Sequence, residues 1–159
     1  MQDNKQKKNK KQSNESAYSF ITEFDQYLFG QGTHYDLYNK LGAHPMTIEG
    51  QKGVFFAVWA PNARKVSVVG NFNRWDREAH LMKRTEPMGI YELFIPDLSE
   101  GEIYKYCVTT KQGNEVLKTD PYAFQMEKRP NNASVVTDIS DFKWGDKKWM
   151  EHRSKFDVR

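Results

Sequence analysis

From Val54 onward the chain is a succession of short apolar runs, each closed by turn-forming residues, and this punctuation restricts its fold more than any other feature. The runs are VFFAVWA, KVSVVG, a brief piece at 81–83, IYELFIP, EIYKYCVTT, EVLK and SVVT, separated by PNAR, NFNRWD, EPMG, DLSEG and KQGN among others. β-Branched and aromatic side chains suit a pleated, half-buried surface, while Gly, Pro and Asn supply the backbone angles that reverse a strand. Seven such runs at close spacing predict an all-β fold, an immunoglobulin-like antiparallel β-sandwich with a short N-terminal helical segment. In IYELFIP, period-two alternation puts Tyr91, Leu93 and Ile95 on one face and Glu92 on the other. Phe94 breaks the alternation, which predicts cover on that second face.

Ahead of the strands the period is helical. Phe20, Ile21, Phe24, Tyr27 and Leu28 fall at spacings that predict a helix burying one apolar stripe, stopped by Gly30 and Gly32. A second short helix is expected over Leu37, Tyr38 and Leu41, with Thr33 and Asp36 as a capping box in which Asp replaces the usual Glu, and Gly42 as its end. The resulting division is a disordered basic tail at 1–16, a helical lead-in at 17–43, a sandwich at 44–140 and a linker at 141–159. That last stretch is highly charged and carries Trp144 and Trp149. It is expected to lead toward a neighbouring domain, as though the sequence were cut off there.

Charge and composition exclude several function classes. The net charge is +3, and the first sixteen residues, with five Lys against two acids, hold the whole excess. Lys and Arg are not gathered on the folded part, so no nucleic-acid partner is expected. The longest apolar run, VFFAVWA, is too short to span a bilayer, and no membrane partner is expected either. Cys107 is the single cysteine, which precludes an internal disulfide and suits a cytoplasmic location. His34, His44, His80 and His152 share no ligand spacing, so no metal or cofactor is expected. Sugar transfer requires two carboxylates about 5–9 Å apart across the scissile bond, whereas Asp76, Asp97, Asp120 and Asp138 each sit beside a turn signal with no shared motif. With no phosphate-binding Gly-rich loop and no GxSxG elbow, no catalytic residue is expected in this chain.

The stretch VSVVGNFNRWD raises a different possibility. Val66 and Val68 set a strand face that carries on to Gly70 and Phe72, making Phe72 a core anchor. Trp75 lies beyond that register, after Asn71 and Asn73, residues that tolerate tight turns.

A resemblance then emerges from longer stretches. YLFGQGTHYDLYNKLGAHP, GVFFAVWAPNARKVSVVGNFNRWD, YELFIPDL, IYKY, LKTDPYAF, RPNNASVV and the spaced Trp144 and Trp149 together resemble the amino-terminal region of bacterial 1,4-α-glucan (glycogen) branching enzymes. FAVWAPNA and VGNFNxWD are shared more widely by glycogen-binding modules of the α-amylase superfamily, whereas LGAHP and TDPYAF are narrower. The resemblance implies a non-catalytic module. The parent's (β/α)₈ barrel, carrying an Asp nucleophile and a Glu acid/base, would cut α-1,4 links and form α-1,6 branches. A barrel needs about 250 residues, so it lies outside this chain, and its partners would be α-glucan (glycogen, maltooligosaccharide) and the barrel in cis.

A glucose ring presents an apolar C–H face and a rim of hydroxyls, and so is met by a rigid aromatic with amides or ammonium groups beside it. Trp75, Asn73, Lys105 and Asn132 are of those types. The alternative stays open that Trp75 packs under a loop and Asn73 only caps the turn. The hairpin KQGNEVLK lacks the second Trp of stand-alone glycogen-targeting modules, so any platform is single. His44, Tyr122 and Trp144, in loops with little core to fill, are expected to dock the barrel. A stand-alone glycogen-targeting module, a plain interaction sandwich and the corresponding module of a debranching enzyme are the competing readings.

Overall fold

The computed structural model describes residues 19–153 and 155. The basic tail expected at 1–16 lies outside these residues. Two antiparallel sheets face each other. The first contains β1 (Gly42–Ile48), β2 (Gln51–Trp59), β5 (Ile90–Pro96) and β4 (Lys83–Thr85), in the order β1-β2-β5-β4. The second contains β3 (Ala63–Gly70), β6 (Ile103–Thr110), β9 (Ser134–Val135) and β8 (Gln125–Met126), in the order β3-β6-β9-β8, with β7 (Glu115–Lys118) also paired to β6. The fold is thus the expected β-sandwich. The piece at 81–83 becomes an isolated bridge from Leu81 to Ser67, followed by β4.

Two strands escaped the sequence reading. β1 is built from GAHPMTI, where Pro45 and a half-exposed pattern mask the strand character expected of an edge. β8 is only two residues long. LGAHP is therefore the start of the sandwich edge, with Leu41 buried just before it.

The core forms between the sheets. Val54, Phe56 and Val58 of β2, with Tyr91 and Ile95 of β5, meet Val66 and Val68 of β3 and Tyr104 and Tyr106 of β6. The Phe56 and Tyr104 rings sit edge to face at 5.1 Å. Phe72 packs at the margin of this cluster, as its register predicts. On the outer side of the first sheet, Phe55, Ala57 and Ile90 join Ile21 and Leu41 in a second cluster, with Phe94 against it. The break in alternation at Phe94 thus has a physical cause: the lead-in covers that face.

Besides these apolar contacts, the lead-in is held by a carboxylate. Glu92, buried on β5, accepts hydrogen bonds from Ser19 Oγ at 2.8 Å, Phe20 N at 3.0 Å and Ile21 N at 3.1 Å, and from Thr85 Oγ1. Helix α1 (Glu23–Gln31) then begins on a capping box between Thr22 and Asp25, and ends at Gly32 in the left-handed region. Two expectations are corrected here. Phe24 and Tyr27 stand 66 % and 62 % exposed, because Ile21 and Asp25 take the inward positions instead. The second helix is a single 3-10 turn, Leu37–Asn39, in which Asp36 makes no side-chain cap. The Thr/Asp capping box exists, but one helix earlier than expected.

Candidate functional site

The turn after β3 is built around Gly70. A Cβ there would lie 2.2 Å from the Ile103 carbonyl oxygen and 2.5 Å from the Phe72 ring, so only glycine lets β3 and β6 stay paired as the chain folds back. Asn71–Asn73 make one 3-10 turn, and Arg74 and Trp75 follow with φ of 54° and 62°. Two consecutive left-handed residues of this size are uncommon and must be over-determined by neighbours. Those neighbours are present: Trp75 N donates to Gly70 O at 2.9 Å, and Trp75 Nε1 donates to Asn71 Oδ1 at 2.9 Å. The indole is thereby fixed by both its backbone and its ring, yet remains 36 % exposed.

Asn73 faces inward. Its Oδ1 accepts from Gly70 N at 3.0 Å and its Nδ2 donates to Val68 O at 2.9 Å, with His80 Nδ1 also at 2.9 Å. His80 stacks edge-on against Phe72, and burial lowers the pKa of its imidazole. Asn73's side chain thus bonds within the turn that carries Trp75.

Lys105 and Asn132, 27 positions apart in sequence, are brought together: Lys105 Nζ donates to Asn132 Oδ1. Register places Lys105 opposite Val69, one residue before the Gly70 turn, on the outward face of the second sheet. Cys107 follows on the same face, opposite Leu117 of β7. Leu117, 40 % exposed, is the residue that sequence reading missed; the alternation running from Lys105 through Cys107, carried across the hairpin, was its signal. The turn is also tied over this face by an Arg77–Glu115 ion pair at 2.7 Å and a Lys65–Glu78 pair.

The docking candidates separate. His44 Nε2 bonds with Leu41 O at 3.0 Å, and its ring packs edge-on to Phe124. Tyr122 packs against the second cluster, its amide donating to Asp120 Oδ1 at 2.8 Å. Both are therefore half-buried within the sandwich. Trp144 stands 77 % exposed, its ring edge against Phe142 and the short helix α2 (Lys147–Arg153) following. Asp120, the acid of TDPYAF, accepts from the Tyr104 and Tyr106 hydroxyls at 2.6 and 3.2 Å between the sheets. Burial pushes its carboxyl above the usual range against the pull of those bonds. It ties the segment after β7 to β6 and β9 of the second sheet. Among the described residues no cluster of three or more His, Cys, Asp or Glu could hold a metal ion, and no helix is long and apolar enough to cross a membrane.

The sandwich thus presents a fixed, half-exposed indole in the turn after β3 and, on the outward face of its second sheet, a Lys–Asn pair, on the architecture of an immunoglobulin-like β-sandwich module. Residues 40–123 match the family described as Carbohydrate-binding module 48 (Isoamylase N-terminal domain), and the chain belongs to it. It is 58 % identical over 132 residues to the 1,4-alpha-glucan branching enzyme GlgB of Butyrivibrio fibrisolvens, covering 83 % of this chain and 21 % of that enzyme. The corresponding enzyme of Thermosynechococcus vestitus is 53 % identical, with 86 % of this chain and 18 % of that one covered. The chain thus spans about a fifth of the length of these relatives. Among solved structures, Klebsiella pneumoniae pullulanase complexed with maltotriose matches with a TM-score of 0.52 and 29 % identity, over 64 % of this chain and 10 % of that one.

Proposed function

We propose that the chain is the non-catalytic module of a 1,4-α-glucan branching enzyme, a cytoplasmic enzyme of glycogen synthesis, and that it binds α-glucan through Trp75. The observation that carries this reading is the Trp75 indole, fixed by two hydrogen bonds and still exposed, in the turn that leaves β3 one residue after Val69, the register partner of Lys105. One sugar ring would stack on Trp75 while Lys105 and Asn132 meet its hydroxyls, and Leu117 would offer a further apolar contact. A single aromatic with two or three hydrogen bonds leaves about 3–5 kcal/mol after ordering costs, which corresponds to dissociation constants near the millimolar range. Glycogen is multivalent, and its many chain ends raise the effective concentration at such a site.

The parent reading is supported by 58 % identity to a branching enzyme, against 29 % to a pullulanase. A debranching parent is therefore the weaker reading, and a stand-alone glycogen-targeting module would want the hairpin Trp that KQGNEVLK lacks. Trp144, with Phe142, Trp149 and Met150 all exposed near it, is the surface assigned to the catalytic barrel in cis. The test is maltoheptaose titration followed by Trp fluorescence and amide shifts. Residues 70–76 are expected to respond, and Trp75→Ala to weaken glycogen binding at least tenfold. An unchanged Ala variant would make the turn scaffold and return the module to a plain interaction sandwich.

A further inference from the structure

Part of the outward face of the second sheet is covered. Ser67 of β3 lies opposite Cys107 of β6, and Thr109 follows Cys107 on the same face. All three point away from the core that Val66, Val68, Tyr104 and Tyr106 fill, yet they are only 1 %, 2 % and 2 % exposed. The cover comes from other elements. Arg77, in the segment leaving the Trp75 turn, pairs with Glu115 of β7 at 2.7 Å, and Glu78 of the same segment pairs with Lys65. Because β6 runs between β3 and β7, the Arg77–Glu115 pair spans it. Arg77, Lys65 and Glu115 all stand near enough for their charges to act on the Cys107 thiol. Beneath them, Ser67 Oγ and Thr109 Oγ1 have no hydrogen-bond partner among the described residues. A thiol is a weak donor and a weak acceptor, so Cys107 satisfies neither. Two buried hydroxyls beside one sulfur are thus left with unused bonding capacity, which is costly.

We infer that Cys107 is a modification site for hydrogen peroxide, held as a sulfenic acid whose added oxygen bonds with the Ser67 and Thr109 hydroxyls. The thiol gives up its proton and the sulfur attacks one peroxide oxygen. The S–O bond forms as the O–O bond breaks, and the departing hydroxide takes up the proton as water, so sulfur is oxidised and peroxide reduced by the same electron pair. One oxygen is the smallest addition a thiol can take, and S–OH brings the donor and acceptor that the two hydroxyls lack. A bulkier adduct would need the cover to leave for good. Exposed ion pairs contribute little to stability, and Glu78 and Arg77 are 64 % and 50 % exposed, so the cover opens readily to a molecule as small as peroxide. Once closed, it shields the S–OH from a second peroxide. Cys107 is the single cysteine of the chain, so no internal thiol resolves it to a disulfide. Burial, with the Glu115 carboxylate, pushes the thiol's pKa up against the pull of Arg77 and Lys65, and the site therefore answers to sustained peroxide. None of this depends on glucan binding.

The test exposes the full chain to excess hydrogen peroxide at neutral pH, with samples quenched over time and their peptides mapped by tandem mass spectrometry, which separates oxygen on Cys107 from oxygen on methionine. The Cys107 peptide is expected to gain one oxygen and to lose it again in dithiothreitol, as a sulfenic acid does and higher sulfur acids do not. Amides at 77–80 and 105–109 are expected to shift with the same time course. Ser67→Ala and Thr109→Val each delete one hydroxyl without adding bulk. Either is expected to lower the fraction of Cys107 held at one oxygen by roughly threefold, the remainder passing to the irreversible acids. The wild-type arm stands without these variants. Cys107 left unoxidised while the same chain in urea is oxidised would overturn the site. So would passage straight to sulfinic acid in the wild type, or folded variants that retain the wild-type fraction.

Discussion

Trp75 is held in place by the residues of its own turn. Gly70 allows β3 and β6 to approach, Asn73 closes the turn, and Asn71 aims the indole. Gly70→Ala is expected to cost about 1–3 kcal/mol, since the added methyl meets backbone as well as the Phe72 ring; urea unfolding measures it, and an unchanged midpoint would contradict the close approach. Asp25 sets a second residue-scale expectation. Burial raises its carboxyl pKa, but bonds from Thr22, His34 and Lys40 outweigh burial and leave it well below the unfolded value of 3.8. A carboxylate depressed in the folded state contributes stability that is complete above the unfolded pKa and is lost as pH falls through the folded one. The stabilising contribution of Asp25 is therefore full at neutral pH and fades below about pH 3.8. Asp25→Asn should flatten that acid limb of the stability curve, and an identical limb in the variant would show that the cluster does not hold the lead-in.

At the scale of elements, the lead-in joins the sandwich through Glu92. Ser19, Phe20, Ile21 and Thr85 all donate to it, so Glu92→Ala strands several donors at a half-buried seam. An unsatisfied buried group costs about 1–3 kcal/mol, and helices as short as α1 depend on packing for their stability. Amide exchange should therefore accelerate across 19–31 in the variant while β2 and β6 stay protected. Uniform acceleration over the whole sandwich would mean that lead-in and sheets unfold as one unit. The helix was legible from its spacing, but the face it buries was not. Phe24 and Tyr27 satisfy helical periodicity as well as Ile21 and Asp25 do, and periodicity does not say which stripe meets the sheet. Glu92 decides it, because it pins the chain immediately before the helix.

For the whole molecule, the expectation concerns chemistry. Of the acids that the sequence set beside turns, Asp120 is tied to two tyrosines between the sheets, and Asp138 is bonded by the Ser140 amide. Incubated with amylose, the purified chain is expected to leave the iodine colour unchanged, and a fall in absorbance free of contaminating enzyme would contradict that expectation.

Strand and turn chemistry alone specified the sandwich, the inward set of β5 and the anchoring of Phe72, because each depends on period-two alternation or on residues that tolerate a sharp turn, whereas the exposure of Trp75 was left open until the fold placed it. These are local properties, written within a few positions of the residues they govern. The Lys105–Asn132 pair could be named by residue type, but only the pairing of β6 with β9 makes the two meet. β1 was hidden by its proline and its edge position, Leu117 by a hairpin whose outward face depends on β6, and the covering of Cys107 by ion pairs drawn from other elements. Tertiary structure decided all of these for one reason: which side chains share a face across non-adjacent strands follows from sheet order and register, and neither is encoded in any single stretch of chain.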